Sequence, residues 1–272
     1  MSDPIFPREI ESVIFTDALV LNDGGESARK LILVAKRVYY WLIPKIMQTI
    51  AVRTMAPSRS YPFRLDLNTF REHGTHTKQF FIWLWDGHQL TADEYLAHCP
   101  NITDLVLWTT TGFKHSVLDV MSHLPLTHLS INLGYVDETT PALISLFSRV
   151  THLDCLTTLT SETYEAKVKY FTSLTHLAIP VGGGQMKIQT LFEKFLKLRV
   201  LVVFGSGKTM GLTGSFDPKQ DDPRIVRMTF QPDLEVDEWL LDVEEGRGVW
   251  GLADEAVQER KKLKEKLTRE ME

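Results

Sequence analysis

The sequence predicts an α/β fold in which strand, loop and helix alternate in units of 24 residues and stack into a solenoid. Three observations carry this. The tripeptides Thr127-His128-Leu129, Thr151-His152-Leu153 and Thr175-His176-Leu177 are identical and stand 24 residues apart. The same step from Leu129 lands on Leu105 and Leu201; Ile102, Leu126, Val150, Leu174 and Leu198 stand three residues before this column, and Leu107, Ile131, Cys155, Ile179 and Val203 two after it. Between these clusters the spacing changes, with Leu96, Val120, Ile144, Val168 and Phe192 followed three residues on by Cys99, His123, Phe147, Phe171 and Phe195.

Each element follows from its spacing. The last two apolar positions of L-x-x-L-x-L are two apart, so both point to one face of a strand. The i, i+3 pairs in segments such as Pro141 to Phe147 and Ile188 to Leu198 read as short helices, which places His123 in a buried helix column. One strand–loop–helix unit cannot bury its own apolar face, so neighbours stack into a continuous core. The regular units cover 96–204, with a weaker one before them at Phe81 and Trp83 and a blurred one after at Ile225–Phe230.

Composition bounds the function. The 272 residues are 43% hydrophobic and 24% charged, with a net charge of −5. That suffices for a large core and argues against a nucleic-acid partner, which would call for a basic excess. No apolar run is long enough to cross a bilayer, and Met1-Ser2-Asp3-Pro4 lacks the basic start of a signal peptide. The expectation is a cytoplasmic or nuclear protein with no membrane contact. Cys99 and Cys155 fall on apolar positions of the repeat and read as reduced core thiols.

The chain divides into a helical module at 1–52, a linker with irregular first repeats at 53–95, the solenoid at 96–232 and a helical cap at 233–272. In the module, Pro7 suits a first helical turn, and Ile10, Val13, Ile14, Ala18 and Leu21 form one apolar stripe. Asn22-Asp23-Gly24-Gly25 breaks it, and Ser27 caps a second helix with the stripe Leu31, Val34, Ala35, Val38, Trp41 and Leu42, which Pro44 disrupts. Near the C-terminus, after Trp239 and Trp250, Ala256, Arg260, Leu263, Leu267 and Met271 share a helical face suited to closing the open end of a solenoid. Gly211 to Pro223 reads as a loop.

The L-x-x-L-x-L pattern resembles the leucine-rich repeat family, whose range of repeat lengths includes this period. Thr110, Gly134, Thr158, Gly182 and Ser206 replace the family's usual Asn or Cys, so no asparagine ladder is expected. At the N-terminus, Phe6-Pro7-Arg8-Glu9-Ile10, Val13-Ile14, Leu31 to Arg37 and Trp41 resemble an F-box over about residues 4–50, with Phe6 in place of the usual leucine. The layout is similar to F-box-like proteins of mushroom-forming fungi. The resemblance implies a substrate-recognition subunit of a cullin–RING ubiquitin ligase. Phe6, Pro7, Ile10, Ile14, Leu31, Val34, Arg37 and Trp41 would contact the Skp-type adaptor, and the repeats would hold an unknown protein substrate. The alternative is a ligase-independent interaction scaffold whose helical module caps the solenoid.

Chemistry-bearing motifs are few. Gly205-Ser206-Gly207-Lys208-Thr209 looks like the end of a phosphate-binding loop. That motif needs Gly where Val202 stands and a helix after the Lys-Thr pair, whose N-terminus would hold the anion. The column before the central leucines reads Asp104, His128, His152, His176 and Val200, and the next outward column contains Ser130 and Asp154. Adjacent strands lie about 4.8 Å apart, so these side chains form a ladder on the concave face. Three imidazoles near Asp154 raise metal binding or pH sensing, but a duplicated polar surface used for partner contact is the plainer reading. Ser122, His123 and Asp119 are close in sequence, which is a poor sign of a triad, since triads assemble across a fold. No enzyme activity, metal or cofactor is expected.

Overall fold

Parallel strands need crossovers that return the chain to the same end of the sheet, and the apolar helix columns supply them. The computed structural model describes residues 6–19, 26–53, 66–84, 92–109, 112–136, 140–155, 160–180, 188–206, 211–212, 216–218, 221–230 and 248–271. Among these lies one sheet of nine strands: β1 (Thr49–Arg53), β2 (Gln79–Leu84), β3 (Asp104–Thr109), β4 (His128–Ile131), β5 (His152–Cys155), β6 (His176–Pro180), β7 (Val200–Ser206), β8 (Gly211–Leu212) and β9 (Ile225–Phe230). They follow chain order except that β9 lies between β7 and β8, and only β8 runs antiparallel. Leu105, Leu129, Leu153, Leu177, Leu201 and Ile225 are successive partners across β3 to β9, separated by one constant step in the chain. The class is α/β with a parallel sheet, an arrangement compatible with a solenoid.

Helices α4 (Leu67–His73), α5 (Ala92–Leu96), α6 (His115–His123), α7 (Pro141–Arg149), α8 (Ser161–Ala166) and α9 (Ile188–Lys194) fall between the strands. The main core holds the inward strand columns together with Phe70, Leu96, Met121, Leu146, Phe147, Phe171 and Leu191. Phe147 and Phe171 stack with ring centroids 4.6 Å apart. Local capping sets the helix starts: Asp66 Oδ1 accepts from the backbone N–H of Asn68 and Thr69, Thr140 Oγ1 from Leu143 N–H and Thr160 Oγ1 from Thr163 N–H. His123 departs from its expected buried column. It ends α6 exposed, while Met121 and Leu124 fill the core on either side of it. Cys99 and Cys155 are buried free thiols, and burial pushes the Cys99 thiol up to about 12.

Gly74 occupies a tight place between α4 and the turn after α5. A Cβ built there would lie 2.4 Å from the His98 carbonyl oxygen and 3.0 Å from Cys99 Sγ. Gly74→Ala is therefore expected to destabilise the chain by about 1–3 kcal/mol through overpacking, read as a lower midpoint in urea unfolding.

The N-terminal module has three helices where two were expected: α1 (Arg8–Asp17), α2 (Glu26–Ile32) and α3 (Lys36–Ile46). The expected second helix breaks before Ala35, whose extended backbone starts α3, and Pro44 is accommodated in the last turn of α3. A small separate core gathers Ala28, Val38, Leu42 and Ile46, with Phe15, Leu19, Leu31, Ile32, Ala35 and Trp41 packed around it. Ile10, Val13 and Ile14 are exposed, and Phe15 and Leu19 take the inner side. Asn22 to Gly25 and Leu21 fall outside the described residues.

Two boundaries also move. β1 lies within the range read as purely helical, because Ile50 and Val52 alternate toward the core and pair with β2. The C-terminal helix α10 (Val249–Met271) does not close an end of the core. Its Ala253, Ala256 and Val257 pack on Ala178, Val200, Val202, Val226 and Met228, side chains of the sheet face turned away from α4–α9. Small side chains let the helix approach that face closely, a pattern easily read as surface. No helix among the described residues is long and apolar enough to cross a membrane.

Candidate functional site

Two surfaces carry the residues that the sequence singled out. The first is the outer side of the N-terminal module. Of the proposed adaptor contacts, Phe6, Pro7, Ile10, Ile14, Val34 and Arg37 are exposed, whereas Leu31 and Trp41 are half-buried against the module core. Val13 and Leu33 add to the patch, whose apolar members range in exposure from 47% at Ile14 to 82% at Leu33. Arg37 Nε donates to Glu11 Oε2 at 3.0 Å, clamping α3 to α1. Trp41 packs on Phe15 with centroids 6.5 Å apart. Tyr39 ties the module to the end of α4, its hydroxyl lying 2.8 Å from His73 Nε2.

The second surface is the outward face of the sheet. His128, His152 and His176 stack, with ring centroids 4.0 Å apart at each step. The threonine preceding each histidine explains their order. The Oγ1–H of Thr127, Thr151 and Thr175 donates to the carbonyl of Thr103, Thr127 and Thr151 respectively. Each hydroxyl oxygen also lies within hydrogen-bond distance of Nδ1 of its own histidine, at 3.0, 2.9 and 2.7 Å. The repeated Thr-His pair is thus a hydrogen-bond unit that orients each ring over its own strand. Parallel stacked rings do not converge on a point. Among the described residues no group of three or more His, Cys, Asp or Glu is placed to hold a metal ion.

One row further along, Trp108 Nε1–H donates to Ser130 Oγ at 3.1 Å, and Ser130 donates to Asp154 Oδ2 at 2.8 Å. Ser130 is buried and Asp154 half-buried. Phe81, Val106 and Trp108, on the same face, are buried as well, with Trp83 edge-on to Trp108 at 5.4 Å. Asp104 is half-buried in register with His128.

The expectation of an open concave face therefore fails at its C-terminal half. Trp250 of α10 meets His152 and His176 edge-on, with centroids at 5.3 and 5.7 Å. Asp254 Oδ1 lies 3.2 Å from His176 Nε2, leaving His176 buried. Sequence reasoning missed this cover and the part played by Trp108. The signal for the cover was the spacing of Trp250, Ala253, Ala256 and Val257, which puts one aromatic and three small residues on a single helical stripe. The phosphate-loop likeness also changes: Gly211–Leu212 forms strand β8 where that motif needs a helix, and Lys208 and Thr209 lie outside the described residues.

Burial tunes these groups in opposite senses. Desolvation, with His176 two strands away, lowers His128; desolvation, with His128 and His176, lowers His152 to about 2 from an ordinary 6.5. Desolvation pushes Asp154 up from 3.8 to about 6 despite the Ser130 hydrogen bond. The depressed histidines contribute stability that is complete above their unfolded value and lost as pH falls toward the folded one. Asp154 contributes stability that is complete below 3.8 and lost as pH rises through about 6. Between those values, two histidines oppose one acid, so unfolding free energy is expected to fall on acidification, most simply followed by urea titration. His152→Gln should flatten that slope. Asp154→Asn should stabilise the chain by about 1–2 kcal/mol at pH 7.5 and little at pH 4.5; equal effects at both pH values would contradict the assignment.

Compared with known protein families and with curated proteins, the chain matches no family model and no curated protein.

Proposed function

We propose that the chain is a substrate-recognition subunit of a cullin–RING ubiquitin ligase. Its F-box-like helical module docks the adaptor, and its leucine-rich-repeat-like sheet presents the outward face to a target protein. One observation carries this reading. Of the nine large apolar side chains exposed among the described residues, seven lie between Phe6 and Tyr40. A module that only capped the sheet would turn these residues inward, whereas exposed apolar side chains concentrated on one module are what a protein-docking surface leaves open in the free chain. The strand register supports the repeat half: each repeat step sends one leucine to the core and one polar or aromatic side chain outward. The ligase assignment itself draws on the motif resemblance of Phe6 to Trp41.

Co-expression with the adaptor followed by size-exclusion chromatography tests the proposal. A one-to-one complex is the expected result. Separate elution of the folded chain would overturn the adaptor assignment and leave a ligase-independent scaffold.

A further inference from the structure

Helix α10 is built differently from every other helix that touches the sheet. The strand side chains beneath it form an apolar cluster distinct from the main core, on the opposite face. Removing α10 would leave the main core closed. Of its own apolar side chains α10 buries Ala253, Ala256 and Val257 fully and Val249, Trp250 and Leu252 in part, with Trp250 on the histidine stack. Its polar anchors sit at the margin. The Asp254 side chain is 54% exposed while pairing with His176, Lys264 Nζ donates to the Asp221 carbonyl, and Arg260 donates to the Ile225 carbonyl.

The helix is also longer than the surface it covers. Its 23 residues extend about 35 Å, whereas the step from β5 to β9 is about 14 Å at the usual strand spacing. The ten-residue rise from Trp250 to Arg260 matches that step at about 15 Å, and most residues beyond Lys264 are exposed. A helix of this length exceeds the roughly 12–15 residues below which isolated helices are marginal in water.

We infer that the outward face of β5, β6, β7 and β9 is a helix-binding groove, that α10 is its exchangeable occupant, and that the target protein presents a helix of the same chemistry. That chemistry is an aromatic residue to sit edge-on to His152 and His176, a carboxylate four residues later for His176, and small residues facing Ala178, Val200 and Val202. Bound targets displace α10 and inherit its contacts. The inference rests on the proposed function only in calling the bound protein a ligase target.

The test uses the full chain and a fluorescein-labelled peptide of residues 248–271, read by anisotropy without adaptor. The tethered helix competes at an effective concentration on the order of millimolar, so the wild-type chain should bind the peptide weakly. Asp254→Lys, at an exposed position, should bind it about 10-fold more tightly, and Ala256→Glu more tightly still, since a buried charge expels the resident helix. A peptide carrying Trp250→Ala should lose at least 10-fold, the effect expected of an aromatic anchor. Hydrogen exchange on the wild type supplies a readout free of folding defects: the amides of Ala253 to Val257 should open at least 100-fold more often than those of β7. Exchange of both segments at one rate, or no peptide binding by a folded Asp254→Lys chain, would overturn the inference. A helix-exchanged dimer of the wild type would replace the target by a second copy and overturn that assignment. Because adaptor is absent, loss of the ligase reading would leave these outcomes unchanged.

Discussion

Replacing Phe147 by alanine should lower the unfolding free energy by about 3–5 kcal/mol. Phe147 is fully buried in the second turn of α7 and stacks on Phe171. Alanine there removes a ring and leaves a cavity between α7 and the turn that carries Phe171. Neighbouring helices can collapse only partly, because each is pinned to its own strand. The loss should appear as a lower denaturant midpoint. A midpoint unchanged from the wild type would mean that the aromatic column does not hold the units together.

Replacing Ile10 and Ile14 together by aspartate should abolish adaptor binding while leaving the fold intact. Both side chains are about half exposed on α1, so charges placed there meet water in the free chain and cost little stability, within about 0.5 kcal/mol. In a complex the same positions would bury two unpaired carboxylates. With about 2 kcal/mol or more for each apolar anchor, the loss exceeds roughly 100-fold and should remove the complex from a size-exclusion profile. An unchanged melting temperature establishes that the loss is local. Retained binding would exclude this surface as the docking site.

Much of the sheet was legible because its signal repeats. Leu105, Leu129, Leu153, Leu177 and Leu201 occur at a constant step, and a parallel register turns equal steps in sequence into adjacency in space. The positions of His128, His152, His176, Ser130 and Asp154 on one face followed from strand alternation alone. Their environment did not follow, because it depends on α10, which meets them from far along the chain and through alanines that periodicity scores as neutral. Ile10 and Phe15 illustrate the other limit. Both are apolar and both lie on α1, so its spacing is compatible with either stripe facing inward, and only packing against α2 and α3 selects Phe15. β1 escaped notice since the separation of Thr49 from its partner Gln79 in β2 falls outside the regular step.

The passage from α3 to β1 takes two residues, Met47 and Gln48. Met47 and Ile50 belong to the sheet's main core, and Tyr39 is held by His73 across the junction. Such a connection is a rigid bracket rather than a tether, since Met47, directly after α3, is itself buried in the sheet's main core. If the outer side of α1 grips an adaptor and the sheet grips a target, the bracket sets one bearing and one reach between them. Which part of the target comes within range of the ubiquitin-transfer machinery is then decided by the gauge of the molecule. Lengthening the chain at Gln48 by a few glycines would leave both grips intact and spoil only the aim.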